Sequence, residues 1–189
     1  MNKLFHLKNT FFLIGFILWC LPQCLWSQKY LTRTGQITFQ ASVPTFEPIK
    51  AINQGTTAIL DTQTGELAVL ALVRGFRFRV ALMEEHFNEN YIESDTYPKT
   101  SFRGKIVDFE FSKLKETPQE FMLEGGLSLH GVTQNIEIPV FFSIQGEQIK
   151  ITADFSVRSE DYAIEIPKLV RKQIAEIVEI SVDLTMNPK

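Results

Sequence analysis

The side chains that could do chemistry are few and widely spaced in this chain of 189 residues. Beyond residue 27 there are two histidines, His86 and His130, and no cysteine, because Cys20 and Cys24 both lie before that point. Two histidines are too few for a His-rich zinc site, and the acidic residues follow no recognisable ligand spacing. A Gly-rich phosphate loop, a Gly-x-Ser-x-Gly elbow and a paired-carboxylate pattern are all missing. The sequence therefore predicts a protein that is not an enzyme, with no catalytic residue, no metal and no resident cofactor.

The two histidines lie in different local patterns. His86 belongs to the segment Met83–Tyr91, which breaks the alternation of its neighbours and carries acidic residues early, so we expect a short helix or turn that crosses one end of a sheet as a lid. There His86 could hydrogen-bond a polar head group such as a quinone or amide oxygen, or it could be an ordinary surface histidine. His130 precedes Gly131 and lies off the apolar parity of its strand, so we expect it to satisfy backbone groups of a turn.

Composition favours one globular domain that does not bind nucleic acid. The chain is 44% hydrophobic and 22% charged, and its formal net charge of −3 comes without a cluster of Lys and Arg. Binding to phosphates needs such a cluster. Phenylalanine is abundant, with 16 residues beside two Trp and four Tyr. A large β-sheet core would account for this aromatic bulk, and so would a ligand cavity.

The first 27 residues have the layout of a secretory signal peptide. Lys3 and Lys8 precede an apolar run from Phe11 to Leu21, which is followed by Pro22 and by the small residue Ser27. The run is shorter than the ~20 apolar residues that a membrane-spanning helix needs. We therefore predict a signal peptide at 1–27, a mature domain at 28–189, export to the periplasm or beyond, and no stable membrane span after cleavage. A retained anchor is the alternative.

The remaining chain consists mostly of segments in which apolar and polar residues alternate, as in half-buried β-strands. The clearest pair is Leu123–Val140, where two alternating runs flank a polar break at residues 130–133, so we predict a β-hairpin whose turn uses a positive φ at Gly131. About eight or nine such strands follow one another, enough to close a sheet on itself and remove its edges. A second short helix is predicted at Pro167–Ala175 from its near-helical apolar spacing. The predicted fold is all-β, a closed antiparallel barrel of about eight strands with one or two short helices.

The hairpin also carries a family resemblance. Its pattern Gly-Gly-Leu-Ser-Leu-His-Gly-Val-Thr at 125–133, followed by alternating aliphatics, resembles the YceI family of exported bacterial proteins, also called polyisoprenoid-binding-like. Further blocks agree with the family in order and spacing, so the likeness covers nearly all of residues 30–187. These blocks are Phe39–Val43, Met83–Phe87, Ser94–Phe102 with Tyr97-Pro98, and Phe155–Ile164 with Asp161-Tyr162. The chain departs from the family at Ala163, where glycine is common, and in the insertion Pro167–Ala175.

The resemblance implies a lipocalin-like barrel with a long apolar cavity for an isoprenoid chain or another amphipathic lipid. Ten apolar residues share the inward parity of the matched strands and are predicted to line it: Phe39, Phe76, Phe78, Phe102, Leu127, Leu129, Ile138, Phe142, Phe155 and Val182. Four more are predicted to shape its mouth: Met83, His86, Phe87 and Tyr91. The same residues could instead fill a packed interior, because parity does not distinguish a packed barrel from a lined pocket.

The predicted function is therefore that of an exported protein that sequesters or carries a small amphipathic lipid. The expected occupant is an isoprenoid quinone, a polyisoprenoid or a fatty-acid-like lipid. One alternative is a filled barrel that serves as an interaction or stress-related scaffold for a protein partner. Another is an enzyme acting on a lipid, which would need a polar cluster with a shifted ionisable group at the mouth. The sequence leaves a homodimer open.

Overall fold

The structure is a computed structural model that describes residues 29–42, 48–168, 170 and 174–189. The predicted signal peptide at 1–27 lies outside these residues. Nine β-strands dominate the described part. They are β1 (Lys29–Ser42), β2 (Lys50–Asp61), β3 (Glu66–Leu72), β4 (Arg77–Phe78), β5 (Lys99–Ile106), β6 (Gln119–Leu129), β7 (Val132–Gln145), β8 (Gln148–Arg158) and β9 (Ile174–Pro188).

Eight of the strands form a closed antiparallel barrel. The order around the wall is β1-β9-β8-β7-β6-β5-β3-β2, and β2 pairs with β1 to complete the circle. The two-residue strand β4 is an addition, paired with Ala51 and Ile52 near the start of β2. Closure leaves no long sheet edge to template aggregation. The predicted fold class is confirmed.

The hairpin predicted at Leu123–Val140 is formed by β6 and β7. Its turn is His130-Gly131, and both residues have positive φ, 50° and 76°. Leu123 and Ile138 face each other in register and are both buried, as their parity predicts. A side chain at position 131 would meet Tyr97, with its Cβ 2.5 Å from that ring, so both the conformation and the space call for glycine here.

Strands β7 and β8 are hydrogen-bonded to each other over only part of their length. The described ladder between β7 and β8 joins Phe141–Gln145 to Gln148–Thr152, whereas the earlier half of β7 pairs with β6 and the later half of β8 pairs with β9. A 3-10 turn at Ser159–Tyr162 contacts all of β7, β8 and β9. The side-chain amide of Gln134 on β7 donates to the carbonyl of Asp161 in this turn, at 2.8 Å. The turn therefore bridges the two strands where their own ladder stops.

The predicted lid segment is helical. Helix α1 (Ala81–His86) continues into one π-helical turn at Phe87–Tyr91. None of the described helices is long and apolar enough to cross a membrane.

The second predicted helix, Pro167–Ala175, is only partly described, because residues 169 and 171–173 lie outside the described ranges. Its last two residues, Ile174 and Ala175, were predicted wrongly, because they begin strand β9. Ile174 is paired there with Ser42 of β1. A β-branched residue suits such a ladder better than it suits a helix.

The two ends of the barrel differ in their contents. The end under α1, called the lid end below, contains the cavity described in the next subsection. The opposite end, called the filled end, is packed with aromatic rings. Phe142 lies there against Phe109 and Phe121, with ring centroids 5.6 and 5.5 Å apart, and Tyr30 packs on Phe111 at 5.7 Å.

Candidate functional site

The barrel encloses an apolar cavity of about 580 Å³ that opens at the lid end. This volume lies within the ~300–1,000 Å³ range of ordinary small-molecule sites. Its walls are inward-facing side chains from the barrel strands. Its mouth is bordered by α1 and by five further residues: Ile164, Ile166, Val170, Ile174 and Ala175. The alternation that builds each strand is therefore also what makes the cavity apolar, because every second residue points inward.

The structure brings together almost all of the residues predicted for the site. Thirteen of the fourteen line the cavity: Phe39, Phe76, Phe78, Met83, His86, Phe87, Tyr91, Phe102, Leu127, Leu129, Ile138, Phe155 and Val182. Whether they contact a ligand stays a prediction, since their positions alone do not test binding.

Phe142 is the residue that the prediction misplaced. It faces inward but has no exposed surface and does not line the cavity, because it packs on Phe109 and Phe121 at the filled end. Parity shows which face of a strand points inward, but it does not give the height of a residue along the barrel axis. Phe142 is therefore part of the core and not of the cavity wall.

Four phenylalanines form a continuous aromatic wall beneath the lid. Phe87, at the end of α1, lies 5.2 Å from Phe39 and 5.2 Å from Phe78, and Phe76 lies 5.3 Å from Phe39, all between ring centroids. The planes are tilted to one another, in the range of favourable aromatic contacts. Phe87 thus attaches the lid to the barrel by apolar contact.

The lid is also held by polar contacts at its start. One carboxylate oxygen of Glu84 accepts a hydrogen bond from the backbone N–H of Phe78 at 3.1 Å, and the other pairs with Arg77, both on β4. No residue of α1 is buried, and Leu82 keeps 57% of its surface exposed at the mouth. An element with so little buried surface depends on its few anchoring contacts and opens more easily than the barrel wall.

His130 joins the segment after the lid to the other side of the mouth. Its Nδ1 lies 3.1 Å from the carbonyl oxygen of Tyr162, and its Nε2 lies 3.0 Å from the carboxylate of Glu93. The ring of Tyr97 packs edge-on against it at 4.4 Å. A neutral imidazole has one N–H, so it donates to both acceptors only when both ring nitrogens carry protons.

The sequence predicted the kind of contact that His130 makes but not the residue that it contacts. It satisfies a backbone carbonyl, as predicted, but that carbonyl belongs to Tyr162, 32 residues away, and not to its own turn. The sequence contains no signal for this pairing, because the contact is set by how the 3-10 turn at Ser159–Tyr162 folds back on β7.

Among the described residues that line the cavity, polar side chains are few, and two of them bond to the backbone. The hydroxyl of Thr100 donates to the carbonyl of Ser128 at 3.0 Å, and the hydroxyl of Ser159 donates to the carbonyl of Glu176 at 3.3 Å. His86 is exposed at the mouth and Tyr91 is half-buried beside it. Both side chains line the cavity at its mouth.

Several cavity residues were not among those predicted. Ala153 and Val157 belong to the inward face of β8, and their parity could have identified them. Ile164 and Ile166 follow the 3-10 turn in a segment without regular structure, where no periodic signal indicates which side chain points inward. Leu82 is in the lid helix, and its role becomes visible only once the helix is placed over the mouth.

Two tyrosines have perturbed ionisation, and neither lines the cavity. Burial, and then the nearby charge of Asp161, raise the pKa of Tyr162 above its usual value. Burial, and then the nearby charge of Glu147, also raise the pKa of Tyr30 above its usual value. Within the described ranges, no group of three or more His, Cys, Asp or Glu side chains is arranged to hold a metal ion.

Comparisons with known proteins agree with this architecture. A family model described as a YceI-like domain matches residues 31–186. No curated protein sequence matches the chain. A solved polyisoprenoid-binding domain from Saccharophagus degradans, implicated in plant cell wall breakdown, superimposes with a TM-score of 0.74 at 15% identity, covering 86% of this chain and 99% of that one.

Two other solved structures show the same fold. BcnA from Burkholderia cenocepacia gives a TM-score of 0.66 at 13% identity, covering 80% of this chain and 95% of its own. A YceI protein from Campylobacter jejuni gives 0.62 at 12% identity, covering 76% and 87%. At these identities the likeness establishes the fold.

Proposed function

Because this chain belongs to the YceI-like family, we propose that it binds an amphipathic lipid by enclosing the lipid's hydrocarbon chain in the barrel. The observation that carries this proposal is the apolar cavity of about 580 Å³ beneath the lid. Burial of a chain of about ten methylenes there is favourable by roughly 8 kcal/mol before the cost of ordering the chain. Binding by sequestration explains why the walls are aromatic and aliphatic, with polar groups confined to the mouth.

The lipid belongs to one of three classes with a long apolar tail: an isoprenoid quinone, a polyisoprenoid or a fatty-acid-like lipid. The Saccharophagus degradans neighbour is described as polyisoprenoid-binding, which supports this choice. We propose that His86 and Tyr91, which line the cavity, meet the polar head group through hydrogen bonds to its oxygen atoms.

Export of the chain is the second part of the proposal and rests on the sequence. The basic residues, apolar run and small residue within 1–27 have the order of a cleavable signal. Intact-mass measurement of protein recovered from its native host tests this. A mature chain that begins at Gln28 supports export, and a chain that retains residues 1–27 contradicts cleavage.

The scaffold alternative required a barrel without a continuous cavity. The lid end of this barrel contains a cavity, so the structure gives the scaffold alternative no support. The lipid-enzyme alternative required a shifted ionisable group at the mouth. The two tyrosines with raised pKa values lie away from the cavity lining.

A cavity-filling substitution tests lipid binding. Ile138→Trp places a large ring inside the cavity, whereas Glu137→Trp puts the same ring on the outer face of the same strand. Lipid co-purified from the native host is extracted and identified by mass spectrometry. We expect wild type and Glu137→Trp to carry lipid and Ile138→Trp to carry at least tenfold less, because the ring takes the place of the chain.

Circular dichroism shows whether each variant is folded. If folded wild-type protein carries no lipid and binds no added quinone or fatty amide, the proposal fails. Equal loading of the two tryptophan variants would also contradict it, since the chain would then lie outside the cavity.

A further inference from the structure

The cavity does not run the length of the barrel, because side chains close its far end. Five residues without exposed surface lie at the filled end, and none of them lines the cavity: Leu60, Ile106, Phe142, Ile149 and Met186. Protein interiors packed in this way contain few voids larger than a water molecule.

The level at which the cavity stops can be placed on four strands. On each strand one inward residue lines the cavity, and the next inward residue toward the filled end does not. These pairs are Leu123 and Phe121 on β6, Val140 and Phe142 on β7, Ile151 and Ile149 on β8, and Leu184 and Met186 on β9. A single level shared by four neighbouring strands is a floor.

The ring of Phe102 narrows the cavity just above this floor. Gly104 and Gly125 are directly paired across β5 and β6. A Cβ at either position would lie within 3 Å of the Phe102 ring, 2.5 Å from Cζ at position 104 and 2.8 Å from Cζ at position 125. The ring therefore lies over the two glycines and takes the space that their side chains would otherwise fill.

This geometry sets a capacity. A methylene group occupies roughly the volume of one water molecule in the liquid, ~30 Å³, so about 580 Å³ holds at most about 20 of them. We infer that the floor limits the enclosed hydrocarbon chain to about 15–20 carbon atoms, or about three to four isoprene units. The inference rests on the proposed function. A longer tail leaves its remainder outside the mouth and gains nothing further from the barrel.

A mixed series of straight-chain alcohols tests this limit. Lipid-free protein is incubated with vesicles that contain equal trace amounts of alcohols of increasing length, on both sides of the expected limit, and the bound alcohols are quantified by mass spectrometry. Below the limit, cavity and membrane gain equally from each methylene, so the ratio of bound to vesicle alcohol stays level. Above it the membrane alone gains, and we expect this ratio to fall by up to about fourfold per methylene.

Two substitutions with opposite effects place the limit at the floor. Leu184→Ala removes three carbons there and should move the break to chains about three carbons longer, and Ala153→Leu adds three carbons and should move it about as far the other way. Ser156→Leu introduces the same side chain on the outer face of β8 and should leave the break unchanged. If Leu184→Ala does not fold, Ala153→Leu carries the test.

The outcomes separate this inference from the proposed function. If no alcohol of any length binds, lipid binding itself fails. If alcohols bind but the ratio stays level through the longest chains, lipid binding stands and the length limit is wrong. A break that does not move with Ala153→Leu would also overturn the limit, because some feature other than this cavity would be setting it.

Discussion

Tyr162 has a polar hydroxyl group in an apolar, buried environment. It is 2% exposed, it belongs to the main buried cluster, and its hydroxyl has no hydrogen-bond partner among the described residues. Its backbone, in contrast, is well used, since its carbonyl accepts from His130. The ring of Tyr162 therefore packs in the core, and its carbonyl links the 3-10 turn to the turn between β6 and β7. Within the described residues, the hydroxyl makes no hydrogen bond that supports this role.

We predict that Tyr162→Phe leaves the protein as stable at neutral pH or more stable by up to about 1 kcal/mol, because it removes a buried polar group without a partner. The raised pKa of Tyr162 adds a pH dependence. The native state holds the phenol proton more tightly than the unfolded chain does, so this contribution is intact below the usual tyrosine pKa of about 10 and is lost as the pH rises beyond it.

Urea unfolding of both proteins between pH 7 and 11 measures this prediction. Wild type should lose stability more steeply than Tyr162→Phe above pH ~10. A loss of more than about 1 kcal/mol at pH 7 in Tyr162→Phe would show that the hydroxyl has a partner that stabilises the fold.

Single residues were predictable where their role depends on the local chain. Gly131 was identified from its turn, and it has the expected positive φ. At Ala163, where the family resemblance led us to expect glycine, the backbone is also left-handed, with φ 54°, a conformation that glycine adopts most easily. The contacts of His130 with Glu93 and Tyr162 join positions 37 and 32 residues apart, and no local pattern indicates them.

At the scale of elements, the lid is held to the barrel by a small number of contacts that can be removed one at a time. Glu84→Ala removes the pair with Arg77 and the bond from the Phe78 N–H. Because α1 buries no residue, we expect the stability of the barrel to fall by less than about 1 kcal/mol, while the lid opens more often.

Hydrogen–deuterium exchange over residues 81–92 measures that opening, and the rate of lipid uptake measures its consequence. Both should rise in Glu84→Ala. The neighbouring Glu85→Ala is the control, since Glu85 is exposed. Unchanged exchange in Glu84→Ala would show that Phe87 and its aromatic contacts hold the lid without help from β4.

The strands and the hairpin followed from period-two alternation, because one buried face and one wet face force that pattern on a barrel wall. The same pattern failed where it carries no information. Phe142 has the correct parity but lies outside the cavity wall. The last residues of the predicted second helix, Ile174 and Ala175, were assigned from apolar spacing although they begin β9, where Ile174 pairs with Ser42 of β1. Height along the axis and long-range pairing both depend on the register of the closed barrel, which no single strand specifies.

At the scale of the whole molecule, the stability of the barrel should depend on its contents. The side chains that line the cavity have no protein contacts on one side, and an enclosed chain would supply them. We predict that removing lipid lowers the free energy of unfolding and that adding it back at about 100 times its dissociation constant raises it by about 2.7 kcal/mol.

Urea unfolding of stripped and reloaded protein measures this difference, with Ile138→Trp as the comparison. That variant should respond little to added lipid, since its cavity is occupied by the new ring. An equal response from Ile138→Trp would locate the stabilising lipid outside the barrel.

The filled end also determines where a bound lipid tail can enter and leave the barrel. A tail that enters at the lid and stops above Phe142 has to leave by retracing its path, so its polar end is the last part to arrive and the first to depart. On the proposed function, the head group would stay at the surface while the tail is enclosed. Loading and unloading would then follow the same path in opposite directions, and weakening a lid anchor outside the cavity lining, such as Glu84, should raise both rates.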